Sequence, residues 1–191
     1  MKHLIYGSRD FALIIKDLLD YQKIPFAGYI DDFSDGAEII GSFDEVIALC
    51  PPESHVVALG VGYNDLAARW RIFERVKAAG YRLATLIHDR AYVRDHANVG
   101  EGSVIMANAT LDGNARTEEA VVLWPGAVVN HDSCIGRNTF VSPSATICGF
   151  VTVGEHSFVG AGAVVVDHVS VPPASFIKAN ALFKGQMSAA R

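Results

Sequence analysis

Charge is scarce in this 191-residue chain: Asp, Glu, Lys and Arg make up 19% of it, against 50% hydrophobic residues. The 16 basic residues are outnumbered by 21 acidic ones, giving a net charge of −5 and no basic stripe. Nucleic acid and anionic membrane surfaces are therefore not expected as partners. Cysteine is sparse as well. Cys50, Cys134 and Cys148 are an odd set without metal-ligand spacing, which suits a reducing cytoplasm better than a disulfide framework. No long apolar run and no basic-then-apolar start occurs, so neither a membrane span nor a signal peptide is expected. The chain reads as cytoplasmic, with apolar matter enough for a real core in one domain or two small ones.

What is present is a strict repeat. From Val93 to Leu182 the chain divides into fifteen consecutive hexads, from VRDHAN and VGEGSV to VPPASF and IKANAL, without insertion or deletion. The first position is Val, Ile or Leu in all but one, where Thr117 stands, and the fifth is always Ala, Ser, Thr or Val. A period of six fits neither the 3.6 of a helix nor the 2 of an ordinary strand. It marks a parallel β-helix built on hexapeptides, three to a triangular coil. First-position aliphatics then fill the interior, and small fifth-position residues fit beside the corners. Gly, Asn, Asp and Pro crowd the positions between, where the chain turns tightly or takes positive φ. Each eighteen-residue coil rises one strand spacing, so five coils make a prism roughly 24 Å tall.

The first ninety residues read differently. Apolar strands at His3–Gly7, Pro25–Asp32, His55–Gly60 and Tyr81–His88 alternate with helices at Asp10–Tyr21, Phe43–Leu49 and Asn64–Ala79. This alternation predicts a small parallel α/β sheet. Ligands on such sheets sit at the carboxyl ends of the strands, here Gly7-Ser8-Arg9, Asp31-Asp32 and Gly60-Val61-Gly62-Tyr63-Asn64. The first turn lacks the full dinucleotide glycine pattern, which argues against NAD, although a helix N-terminus there can receive a phosphate. Asp31 and Asp32 are placed to accept from a ribose or a base.

On the coil, His96, His156 and His168 read as solvated surface, while the eighteen-residue rule raises His131. Gly149 lies one coil beyond it and should sit directly over it. Hexads of this kind resemble those of the hexapeptide acyltransferases. The resemblance implies a thioester carbonyl between those rungs, where it would take a hydrogen bond from the Gly149 N–H while His131 approaches from beside. An attacking ammonium must lose a proton, and imidazole, with an ordinary pKa of about 6.5, is the natural base at neutral pH. Asp132 is placed to orient it. Zinc is the alternative use of such imidazoles. His96, Asp132 and His168 share one column, but roughly 10 Å per two-coil step separates them too far for ligands about 2 Å from one ion. A site bridging subunits would escape that argument; no metal is expected.

The YGSRDFA turn, the GYIDD strand end, the GYNDLAARWRIFERVKAAGYRLATLIH segment and the NHDSCIGRNTFVSPSATICGFVTVGEHSFVGAGAVV run together resemble the bacterial nucleotide-sugar N-acyltransferases of the PglD/NeuD type, over nearly the whole chain. The resemblance implies a small Rossmann-like α/β domain (residues 1–88) that holds the nucleotide-linked amino sugar. A left-handed parallel β-helix (residues 89–191) would follow, with acetyl-CoA along it, in a homotrimer whose active sites lie between prisms. It assigns His131 as the catalytic base with Asp132 as its acidic neighbour, Gly149 as the amide that meets the thioester carbonyl, and Ala161 as a backbone position of the CoA channel. Gly7, Ser8, Asp31, Asp32 and Asn64 match the nucleotide-sugar pocket, with Arg9 in the same turn. The implied reaction is N-acetylation of a nucleotide-linked amino-deoxysugar for a surface glycan. A sugar O-acetyltransferase and a non-catalytic nucleotide-sugar-binding trimer are the alternatives. This chain departs from the family at Arg9-Asp10-Phe11, which replaces a Gly-Gly-His or Ser-Gly-His turn. Phe140 stands where a second histidine is frequent, and Lys178–Lys184 replaces a Gly-x-Pro-Ala-Lys ending.

Overall fold

A computed structural model describes residues 1–185, which divide into compact units before and after the Ala84–Thr85 bond. In the first unit β1 (Lys2–Tyr6), α1 (Asp10–Tyr21), β2 (Phe26–Ile30), β3 (Ile39–Gly41), α2 (Phe43–Leu49), β4 (His55–Leu59) and α3 (Leu66–Ala78) follow one another. All pairings are parallel, and the sheet order is β3-β2-β1-β4. The central strand β1 buries Leu4, Ile5 and Tyr6 without alternation, as a strand covered on both faces must. α1 buries Phe11, Ile15, Leu18 and Leu19, one stripe at helical spacing. The other two helices are capped by side chains. Glu45 Oε2 accepts from the Ser42 amide (2.8 Å) at the start of α2, and Asp65 accepts from the Ala68 amide (2.7 Å) at the start of α3.

Two expectations for this unit change. The fourth strand of the sheet is Ile39–Gly41, which only three residues bounded by turns made illegible. The segment 81–88, read as one strand, is divided: Leu83 makes only an isolated bridge to Val57, while Leu86–Ile87 pairs in register with Val104–Ile105 as the first rung of the second unit. The hexad IHDRAY (residues 87–92) is thus a further repeat ahead of Val93, with Ile87 and Ala91 packed on the core at its first and fifth positions.

The second unit is a parallel β-solenoid of two-residue strands in three sheets, one per face. Every pairing within it joins residues eighteen apart, such as Val104, Val122 and Phe140. The architecture is that of the hexapeptide β-helix, consistent with the left-handed form. First-position residues Ile105 through Ile177 form the core with the fifth-position Ala and Val residues. From Gly102 onward the fourth position is left-handed, φ running from 54° to 59° at eleven non-glycine residues between Asn108 and Asn180 and also positive at Gly102, Gly126 and Gly162. The turns in the sequence are therefore one conformation repeated. Among the described residues no helix is long and apolar enough to cross a membrane.

Two details explain departures from the plain pattern. Thr117, the polar first-position residue, accepts the Gly100 amide on Oγ1 (3.2 Å). There the rungs approach so closely that a Cβ at Gly100 would lie 2.2 Å from the Glu118 carbonyl carbon. Hydroxyls at the fifth position tie one rung to the next. Ser103, Ser133 and Thr139 each donate to a carbonyl fifteen residues on and accept the amide eighteen residues on, at Val121, Val151 and Ser157. Ala corners such as Ala127 close only through the backbone, on the residue three before, Trp124, a bond that Ser103 also makes to Gly100 (3.3 Å). Removing the Ser103 hydroxyl leaves the buried Val121 amide without its acceptor. Ser103→Ala should cost about 1–3 kcal/mol in denaturant unfolding, and a midpoint unchanged from wild type would count against this corner as a source of stability.

Candidate active site

The edge of the solenoid that carries hexad positions three and four stacks Gly113, His131, Gly149 and Asp167 in one column and Asn114, Asp132, Phe150 and His168 in the next. The rungs are tied by backbone bonds from Asp132 to Gly113 (3.0 Å), Phe150 to His131 (3.2 Å) and His168 to Gly149 (3.1 Å). His131 lies on Gly149 as the register requires: a Cβ built on Gly149 would stand 2.7 Å from the imidazole Cε1 and 2.9 Å from Nε2. Glycine is needed here because the ring occupies the space of any side chain.

The imidazole is oriented through its other nitrogen. His131 Nδ1 lies 2.9 Å from Asp132 Oδ2, and Asn114 Nδ2 donates to Asp132 Oδ1 (3.1 Å). Hydrogen bonds from His131 and then Asn114 hold the Asp132 carboxyl below the usual carboxylate range. With Nδ1–H directed to the carboxylate, Nε2 carries the lone pair that can take a proton. Adjacent residues of a strand point apart; these two converge because Asp132 is left-handed, φ +58°.

The Gly149 amide belongs to a set that the ladder does not use. Pro125, Pro143 and Pro173 occupy the same hexad position and have no N–H to offer. At Arg137 that amide donates to a side chain, Glu118 Oε2 (3.0 Å). The Gly149 N–H finds no acceptor among the described residues. Ala161 stands at the same hexad position but does not join His131 and Gly149. It is exposed on a different edge two hexads on, where its carbonyl accepts from the Asn180 amide (2.8 Å).

In the first unit the strand ends do converge. Gly7 packs on Gly60, and Ser8 Oγ donates to Asp31 Oδ2 (2.5 Å), whose other oxygen accepts the Phe33 amide (3.0 Å). Arg9 and Asn64 are exposed at the starts of α1 and of the turn before α3. Asp32, expected to face a ligand, is engaged within the unit instead. It accepts from Tyr6 OH (2.5 Å), the Phe43 amide (2.9 Å) and Arg75 Nη1 (3.0 Å), while Arg75 Nη2 reaches Asp44 (2.7 Å). Burial opposes the charge on Asp32, but the Phe43 amide, Tyr6 and Arg75 outweigh it and hold the carboxyl below its usual range. Burial above all pushes the Tyr6 hydroxyl up. A second arginine, Arg69, is fully buried with Nε on the Val61 carbonyl (3.0 Å); burial pulls it down to about 9, so it stays charged at neutral pH.

Sequence reading missed Tyr6, Arg69 and Arg75, and nothing local marks them, since Arg75 and Asp32 are 43 residues apart. Asn114 was within reach, being eighteen residues before Asp132. The brace has a testable pH signature. A carboxyl whose folded pKa lies below its unfolded value of about 3.9 contributes stability that is complete above that value and is lost as pH falls through the folded one. Asp32→Asn should cost about 1.5–3 kcal/mol at neutral pH and should flatten the fall in thermal midpoint as the pH drops below about 3.9. Equal acid sensitivity in variant and wild type would deny the brace that role.

Comparison with known proteins matches this geometry to a recurrent fold. The family model for the bacterial transferase hexapeptide (six repeats) matches residues 135–167. The acetyltransferase domain of PglB from Neisseria gonorrhoeae FA1090 superposes with a TM-score of 0.86 at 23% identity, over 98% of this chain and 93% of that one. The same domain in complex with acetyl coenzyme A gives 0.85 at 25% identity, over 96% and 91%. PerB from Caulobacter crescentus, in complex with CoA and GDP-perosamine, gives 0.85 at 23% identity, over 98% and 92%. The chain is thus a hexapeptide-repeat protein with the fold of the PglD/NeuD-type nucleotide-sugar acyltransferases.

Proposed function

We propose that the chain is an acetyl-CoA-dependent N-acetyltransferase acting on a nucleotide-linked amino-deoxysugar, in surface-glycan biosynthesis of the O-antigen type. The observation that carries this reading is the His131 imidazole seated on Gly149 with Nδ1 tied to Asp132. It is supported by the ligands of the similar structures, acetyl coenzyme A in one and CoA with GDP-perosamine in the other. Acetyl-CoA is the co-substrate that supplies the acyl thioester. The residues fit it: one unencumbered amide for a carbonyl oxygen and one oriented base beside it.

His131 Nε2 removes a proton from the sugar ammonium, and the freed amine nitrogen bonds to the thioester carbonyl carbon. The Gly149 N–H donates to the oxygen as it gains charge, and Asp132 stabilises the imidazolium that forms. As the carbon–sulfur bond breaks, the proton held on His131 passes to the leaving thiolate and the nitrogen gives its second proton to water, so the products are the neutral amide, the free thiol and one released proton. General-base help contributes about 10²–10⁴-fold and one oxyanion donor about 10²–10³-fold. Ser8 and Asp31 at the strand ends, with Gly7, Arg9 and Asn64 around them, hold the nucleotide-sugar, and Asp32 acts as the brace behind them. Ala161 lines the CoA channel from a neighbouring subunit of a homotrimer, which reconciles its separate edge with that role.

Incubating the protein with acetyl-CoA and a panel of UDP-, GDP- and dTDP-linked amino sugars should yield a product heavier by one acetyl group in mass spectra. A sugar lacking the amine should not react; acetylation of such a deaminated analogue would instead establish an O-acetyltransferase. His131→Ala should lower turnover by about 10²–10⁴-fold while CoA still binds. Near-normal turnover in that variant would remove the base from the mechanism.

A further inference from the structure

From Gly102 to Asn180 the fourth hexad position is left-handed on every rung, and over that run it carries Asn, Asp, Gly, Ser, Ala or His except at one place, where it carries Phe150 at φ +58°. A bulky residue is strained in that conformation, and such strain gathers at functional sites. Phe150 is not repaid by burial in the core, since it remains 50% exposed. What its ring does is touch His131. The two centroids are 5.2 Å apart, edge to face at 85°. On its far side Phe150 stacks on His168 (4.7 Å, 27°), which is itself left-handed and held at Nδ1 by Asp167 (2.9 Å).

From this geometry we propose that Phe150 is a positioning residue: its ring, backed by His168, closes the open side of the His131 imidazole. Asp132 fixes only one nitrogen and leaves the ring free to pivot about that bond. Gly149 bounds the imidazole from the next rung, and Phe150 removes the remaining swing. Edge-to-face contacts of this kind favour one relative orientation of the two rings. The proposal rests on the reading of His131 as the base, but the placing of the ring is measurable without any reaction.

Phe150→Gly and Phe150→Asn suit the backbone conformation, so the thermal midpoint should be unchanged or higher in both. Their turnover number should nevertheless fall by about 10–100-fold, the scale of a small misplacement, with KM little affected. Phe150→Tyr keeps the ring and should restore turnover. In parallel, NMR of isotope-labelled histidine, with the His131 signals identified by their loss in His131→Ala, should show one held imidazole in wild type and in Phe150→Tyr. In the Gly and Asn variants the same signals should be averaged or broadened. Unchanged His131 signals in those variants would overturn the proposal whatever the activity. Averaged signals with undiminished turnover would uphold the positioning and sink the base assignment instead, and a raised KM at constant turnover number would make Phe150 a substrate contact and overturn it.

Discussion

The backbone ladder between successive coils is the constraint on which the second unit depends. Each two-residue strand bonds to the strands eighteen residues before and after it, from Leu86 to Phe183. Because the ladder admits no slip, whatever stands at a given hexad position is set over its equivalents one coil away. The left-handed fourth position is the same constraint seen at the corners, since the chain must turn identically each time to return to register. A register slip would move the whole interior column to the outside. The core is correspondingly simple, a stack of aliphatics with Ala, Val or hydroxyl residues beside it.

The candidate active edge uses that rigidity rather than departing from it. Gly149 leaves exactly one imidazole's room because the rung spacing is invariant; the left-handed turn brings Asp132 back toward His131, and Asn114 supports the carboxylate from one coil below. Positions that carry outward proline elsewhere leave the Gly149 amide facing out of the ladder. A catalytic geometry of this kind needs few dedicated residues, because the scaffold already fixes their separations.

The first unit is held by a different logic. Its strand ends are brought together by one carboxylate, Asp32, that gathers a tyrosine from β1, an amide from the start of α2 and an arginine from α3. Arg75 also lies over the Phe43 ring, 4.8 Å from its centroid, which in turn stacks on Tyr6. The arrangement leaves Ser8 and Asp31 as the polar pair at the tip of the sheet. The two carboxylates of the GYIDD segment thus have different partners, Asp32 within the brace and Asp31 on Ser8 in the turn after β1.

The sequence by itself determined the solenoid, its eighteen-residue register and the seating of His131 on Gly149, because each hexad carries its own apolar and turn residues and the period converts directly into distance. Asn114 was legible by the same arithmetic. The division of the Tyr81–His88 strand, the short Ile39–Gly41 edge strand and the brace around Asp32 were decided only by the tertiary structure. They depend on which distant segments compete for the same hydrogen bonds, and no local pattern records that outcome. The Phe150–His131 contact lies between the two: the register placed the residues on adjacent rungs, but the turning of each ring toward the other is a matter of side-chain rotamers, settled by packing in three dimensions.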